Sequence, residues 1–113
     1  MIEKYASGHI IVNNIAYHQD LKIIKGQVVD NWWRKTGHLV DLNDMKDVLE
    51  SSPDIIVIGT GYAENMRVST DLSSEIRRRN IELVAENTNH AVHAFNDLFS
   101  KGKNVSGAFH LTC

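Results

Sequence analysis

The chain has almost no cysteine, almost no proline and no long apolar run, and each shortage closes off a class of protein. Cys113 is the only cysteine among 113 residues, so no intrachain disulfide can form and nothing points to an oxidising compartment. The single proline, Pro53, punctuates rather than builds, and there is no linker, internal repeat or low-complexity tract. No apolar stretch approaches the roughly 20 residues that a membrane-spanning helix needs. The opening Met1-Ile2-Glu3-Lys4-Tyr5 lacks an apolar core behind basic residues, so no secretory leader is expected and a cytoplasmic protein is. Charge of one sign is also scarce: 12 basic against 14 acidic residues give a formal net charge of -2. Neither a nucleic acid nor a membrane surface is therefore expected as a partner. The one basic cluster, Arg77-Arg78-Arg79, ends an expected helix, where cations complement the dipole.

What is present fits one folded unit. With 42% hydrophobic and 23% charged residues the chain has ordinary globular composition, and its length suits a single domain over residues 1–113. Its sharpest local signal is Asp54-Ile55-Ile56-Val57-Ile58-Gly59-Thr60-Gly61-Tyr62. A run of β-branched residues with no polar face must be covered on both sides, which places a strand at the centre of an α/β sheet. Before it, His9–Val12, Ile15–His18, Leu21–Ile24 and Gln27–Val29 alternate with turn residues and read as one antiparallel meander. After Asp41, helices and strands alternate, which implies βαβαβ crossovers between parallel strands. Asp41 caps a first helix carrying Leu42, Met45, Val48 and Leu49, and Pro53 stops it. A second, short helix turns Leu72 and Ile76 inward and ends at Asn80. The strand Ile81–Ala85 follows. Thr88 is the expected cap of a third helix with Ala91, Val92, Ala94, Phe95, Leu98 and Phe99 on its buried side. Gly102 closes that helix, and a last strand runs from Val105 to Leu111.

Several constellations invite a chemical reading. Gly59-Thr60-Gly61 follows a strand, as a dinucleotide fingerprint would, but position 64 is Glu and no helix begins at the loop to receive a pyrophosphate. No cofactor is expected. What the turn offers is backbone N–H groups for a small anion at the carboxyl ends of the strands, with Tyr62, Arg34 and His110 as further ligand-binding candidates. Trp32-Trp33-Arg34-Lys35 forms a second cluster. Neighbouring residues in a strand point to opposite sides, so one tryptophan belongs to the core and the other is free to meet a partner. Trp33 and Arg34 are the partner-binding candidates, since Trp and Arg dominate interface hot spots. His90 and His93 share a helix face but lack a completing carboxylate or cysteine, so no metal site is expected. His110 and Cys113 would project to opposite faces of an extended strand and could meet only if the chain bends after His110. No nucleophile elbow or phosphate-binding Gly-x-x-x-x-Gly-Lys loop exists, and no catalytic residue is assigned.

In order along the chain, Trp33-Arg34 with Gly37-His38, Ile58-Gly59-Thr60-Gly61, Ala94-Phe95-Asn96 and Gly107-Ala108-Phe109-His110-Leu111-Thr112-Cys113 resemble one small single-domain family of unknown function. Its eukaryotic relatives include an adipogenesis-associated protein and a mitochondrial assembly factor for respiratory complex I. The resemblance implies a three-layer α/β fold around a central mixed sheet, with part of the N-terminal β region as an outer layer. It also implies assembly or interaction rather than catalysis, and it marks Trp33, Arg34, Gly59, Thr60, Gly61, Asn96 and His110. The expectation is a small accessory domain with a protein partner. The rival expectation is a binder or enzyme for a small anionic ligand at the Gly59-Thr60-Gly61 crevice.

Overall fold

The apolar run after Pro53 is the middle of a five-stranded sheet in the computed structural model, which describes residues 1–113. Ten strands and three α-helices follow one another along the chain. The strands β1 (Ile2–Ala6), β2 (His9–Val12) and β3 (Ile15–Tyr17) form a small antiparallel sheet of their own. Then come β4 (Leu21–Ile24), β5 (Gln27–Val29), β6 (Leu39–Val40), a 3-10 turn at Leu42–Met45 and α1 (Lys46–Glu50). The rest is β7 (Ile55–Thr60), β8 (Arg67–Val68), α2 (Thr70–Arg78), β9 (Glu82–Glu86), α3 (Thr88–Ser100) and β10 (Val105–His110). The main sheet has the order β5-β4-β10-β7-β9. Within it β10, β7 and β9 are parallel, while β4 runs antiparallel to β10 and β5 antiparallel to β4. The mixed sheet between two covering layers matches the expected three-layer α/β architecture.

Every residue of β7 is buried, and its side chains divide between two cores with the period of a strand. Ile55 and Val57 join Phe95, Phe109, Ala91 and Val92 beneath α3 and the small sheet, whose Ile2, Ile10 and Val12 close that layer. Ile56 and Ile58 join Val48, Leu49, Leu72, Ile76 and Met45 beneath α1 and α2 on the other face. At about 1.5–3 kcal/mol for each fully buried aliphatic side chain, this strand alone is a large share of the fold's hydrophobic stabilisation.

Four expectations are corrected. The N-terminal meander is not one sheet: β1 to β3 break away, and only β4 and β5 join the main sheet. Hydrophobic alternation fixes which face of a strand is apolar but not which sheet it enters. The first helix is shorter than its apolar stripe, because the Asp41 capping box closes on a 3-10 turn and regular α-helix starts only at Lys46. The third helix is capped by Asn87, whose side chain accepts from the His90 N–H, and Thr88 is instead buried in the first turn. Phe99, expected inside, is exposed and stacks on Phe95 at 5.8 Å between ring centroids. His90 and His93 face outward, as expected of solvated histidines.

Candidate functional site

The register of the sheet brings Asp20 and His110 together. Phe109 of β10 lies opposite Leu21 of β4, so the residue after the first and the residue before the second meet at the same end of the sheet. Asp20 Oδ2 accepts from His110 Nδ1 at 2.7 Å and from Arg34 Nη2 at 2.9 Å, and Asp20 Oδ1 accepts from the Leu111 N–H at 2.8 Å. Arg34 Nη2 also lies 3.2 Å from His110 Nδ1. Both atoms carry hydrogens directed at one carboxylate oxygen, since arginine has no acceptor. With the Asp20 carboxylate ionised, the hydrogen-bond network assigns the His110 proton to Nδ1, which in a neutral ring leaves the lone pair on Nε2. Burial pushes the Asp20 carboxyl up, but the donors from His110, Leu111 and Arg34 outweigh it and hold the group below its usual range.

Arg34 is anchored from several sides. Its Nε and Nη2 donate to the Gly37 carbonyl at 3.1 and 2.8 Å, and its guanidinium stacks on the Trp32 ring at 4.7 Å from the centroid. Trp32 in turn donates its backbone N–H to the Asp20 carbonyl and its indole N–H to the Asp44 carbonyl. The two tryptophans diverge as expected, although they lie in a loop and not in a strand: Trp32 is 7% exposed and Trp33 is 78% exposed. Trp33 edges an open cleft of about 380 Å³, lined also by Asp20, Arg34, Asn31, Gln19 and Thr112. Two buried polar atoms in this region have no partner, Arg34 Nη1 and His110 Nε2.

The glycine turn has a different occupation. The Gly61 N–H donates to Thr88 Oγ1 at 2.9 Å, Thr88 Oγ1 donates to the His110 carbonyl at 2.6 Å, and Thr60 Oγ1 donates to the Glu86 carbonyl at 3.0 Å. Gly61 has φ +108°, and a Cβ there would come within 2.6 Å of the Thr112 carbonyl oxygen. At Gly59 a Cβ would come within 2.8 Å of Thr88 Oγ1. These glycines admit the chain's own neighbours, α3 on one side and residues 112–113 on the other. Tyr62 is exposed and, with Gly59, Thr60 and Gly61, stays out of the cleft lining. Of the expected ligand residues, Arg34 and His110 are thus brought together with each other, and His110 meets the turn as the ladder partner of Thr60 and through Thr88.

Asp20 is the central residue that sequence reasoning missed. Nothing in His18-Gln19-Asp20 forms a motif, and its partner is 90 positions away. Cys113 is a second surprise. The strand ends at His110, the chain bends, and Asn65 donates its N–H to the Cys113 carbonyl at 3.0 Å, so the condition for the two residues to meet is fulfilled.

A family described as a protein of unknown function (DUF498/DUF598) matches residues 2–110. The chain is similar over all of its length to a conserved hypothetical protein of Pyrococcus horikoshii, with 18% identity, 99% of that chain covered and a TM-score of 0.85. It is similar over 98% of its length to a protein of Xanthomonas campestris, with 25% identity, 83% of that chain covered and a TM-score of 0.84. A protein of Bartonella henselae described as an outer membrane protein matches over 99% of this chain and 94% of its own, with 22% identity and a TM-score of 0.84. In the present chain no helix is long and apolar enough to cross a membrane.

Proposed function

The chain belongs to the family of unknown function that spans residues 2–110, and on that premise we propose that it is a non-catalytic interaction or accessory domain whose contact surface centres on Trp33. The observation that carries this reading is the contrast between the paired tryptophans. Trp32 is buried and hydrogen bonded at both of its N–H groups, whereas Trp33 keeps an indole 78% exposed beside a cleft. The loop that presents it is held by Arg34 to Gly37 and Asp20, so little backbone freedom of the loop remains to be lost on binding. A large aromatic group presented on a fixed frame is the usual anchor of a protein interface. The resemblance in sequence to a family with assembly members in eukaryotes supports the same reading. In it the protein meets its partner in the cytoplasm.

The test is a photo-crosslinking amino acid placed at position 33 in the native host, with Arg77 on α2, outside the cleft lining, as the control position. One dominant protein adduct from position 33 and none from position 77 is the expected result. Equal or scattered labelling from both positions would remove the basis for the reading. A second reading, a small anionic ligand, is favoured by Arg34 Nη1, a buried donor without a partner at the cleft. It predicts a rise in melting temperature with phosphate, a carboxylate or a nucleotide, and loss of that rise in Arg34→Lys.

A further inference from the structure

We propose that His38, His110 and Cys113 bind a single borderline or soft metal cation, zinc foremost, with Asp20 as the positioning residue for His110. Their ligand atoms lie within 4.8 Å of one another, although the three residues come from the loop before β6, the end of β10 and the bend beyond it. A tetrahedral zinc site with bonds of about 2.0–2.3 Å has ligand atoms roughly 3.3–3.8 Å apart, so closure needs about 1 Å of movement. The exposed side chains of His38 and Cys113 are free to make it.

A second observation points independently to a ligand. The His110 side chain is 7% exposed, its Nδ1 is committed to Asp20, and its Nε2 is buried without a partner. A buried ring nitrogen left without a partner is unfavourable, and metal coordination is one way to satisfy it. The carboxylate on the opposite nitrogen is the arrangement that fixes the tautomer of metal-ligating histidines and raises their basicity. The remaining ligands are held by backbone contacts. Arg67 donates its N–H to the His38 carbonyl at 2.8 Å, and the His38 and His110 rings stand 5.6 Å apart at 65°. Cys113 is held through its carbonyl by Asn65, against a Gly61 whose missing side chain leaves room for it. Two imidazoles and a thiolate suit zinc, cobalt(II) or copper(I) and are a poor set for magnesium or calcium. On binding, a metal–sulfur bond forms, the thiol S–H bond breaks and its proton goes to solvent, so affinity rises with pH. Asp20 offsets the nearby Arg34 cation, and the thiolate offsets part of the metal's charge.

This site goes beyond the interaction reading and does not depend on Trp33. The experiment uses the whole chain, freed of metal by dialysis against chelator and titrated with Zn²⁺ by calorimetry and with Co²⁺ by absorption. One equivalent should bind, with a sulfur-to-cobalt charge-transfer band and the strong visible absorption of a tetrahedral ion. Zn²⁺ should also slow alkylation of Cys113. Cys113→Ser should abolish the charge-transfer band and His38→Ala should weaken Zn²⁺ binding, both with an unchanged circular dichroism spectrum. Asp20→Asn should weaken binding 10–100-fold. Trp33→Ala should leave it unchanged. His9 and His18, whose rings lie 5.0 Å apart, are the internal control for adventitious binding. Octahedral cobalt spectra, binding that survives Cys113→Ser, or binding lost on His9→Ala would each overturn the proposal.

Discussion

Removing the Asp20 carboxylate should cost more stability than any other single polar change in this molecule. Asp20 takes three donors, and the Arg34 side chain that it neutralises is 5% exposed. Asp20→Ala leaves that guanidinium buried without its counter-charge, and breaking one side of a buried pair costs about 3–5 kcal/mol. For a chain of 113 residues this corresponds to a fall of roughly 13–20 °C in melting temperature. The pH dependence supplies an independent check. The folded-state pKa of Asp20 is depressed, so its contribution is complete above the unfolded value of about 3.9 and is lost as pH falls through the folded value. Urea unfolding of wild type and Asp20→Ala at pH 7 and at pH 3 and below should therefore show a large gap that narrows with acid. The slopes against denaturant should stay equal, so that midpoint differences report stability alone. A double variant, Asp20→Ala with Arg34→Ala, should lose less than the sum of the two single changes. A gap under about 1 kcal/mol at pH 7, or one unchanged by acid, would refute the claim that this carboxylate organises the site.

Gly61→Ala should destabilise by ~2 kcal/mol or more, because it combines φ +108° with a Cβ 2.6 Å from the Thr112 carbonyl oxygen. Gly102→Ala, with φ +75° and nothing within 4 Å, is the control and should cost ~1 kcal/mol in the same thermal melts. Trp32→Ala should cost about 3–5 kcal/mol by chemical unfolding, while Trp33→Ala should stay within about 0.5 kcal/mol. Equal losses at the two positions would contradict the placement of Trp33 in solvent. Glu75 should titrate at about 2 by NMR, since Arg78 and Arg79 both donate to its carboxylate. Replacing both arginines with alanine should return it toward about 4.3.

The elements that sequence displayed best are those whose burial is set within a single stretch. The run Ile55–Ile58 is apolar on both faces because α3 covers one and α1 with α2 the other, so no neighbour needed to be known. The apolar stripe of α3 likewise read correctly at Ala91, Val92 and Phe95. Phe99 misled because a helical period runs on to the helix end, where the ring lies beside Gly26 in the β4–β5 turn and stays exposed. β1 was missed for the opposite reason: in Ile2-Glu3-Lys4-Tyr5-Ala6 only Ile2 is fully buried, and the strand is fixed by pairing with β2 and by the Asn96 amide, which exchanges two hydrogen bonds with Ile2. Cross-strand and side-chain partners of that kind leave no periodic trace.

The site was legible only in part, for a reason of the same sort. Arg34, Trp33 and His110 are distinctive residue types and stood out, but the residue that joins Arg34 to His110 is an ordinary aspartate before an ordinary strand. Its position becomes determinate once β4 is known to run antiparallel to β10 with Leu21 opposite Phe109, and that register is a property of two segments almost a whole chain apart. The glycines carried a real signal with a different cause. Gly59 and Gly61 are required because Thr88 and residues 112–113 pack against their backbone. Thr88 then links the Gly61 N–H to the His110 carbonyl, so the turn supports the histidine from behind while Asp20 orients it from the side. Thr88→Val would test that coupling. It removes one hydroxyl from a fully buried position and strands both the Gly61 donor and one interaction of the His110 carbonyl. The expected cost is about 1–3 kcal/mol, with the His110 ring resonances displaced by NMR while those of His93, exposed on α3, stay in place. Resonances of His110 that remained unmoved would mean that the turn and the Asp20 cluster are independent features that merely lie side by side.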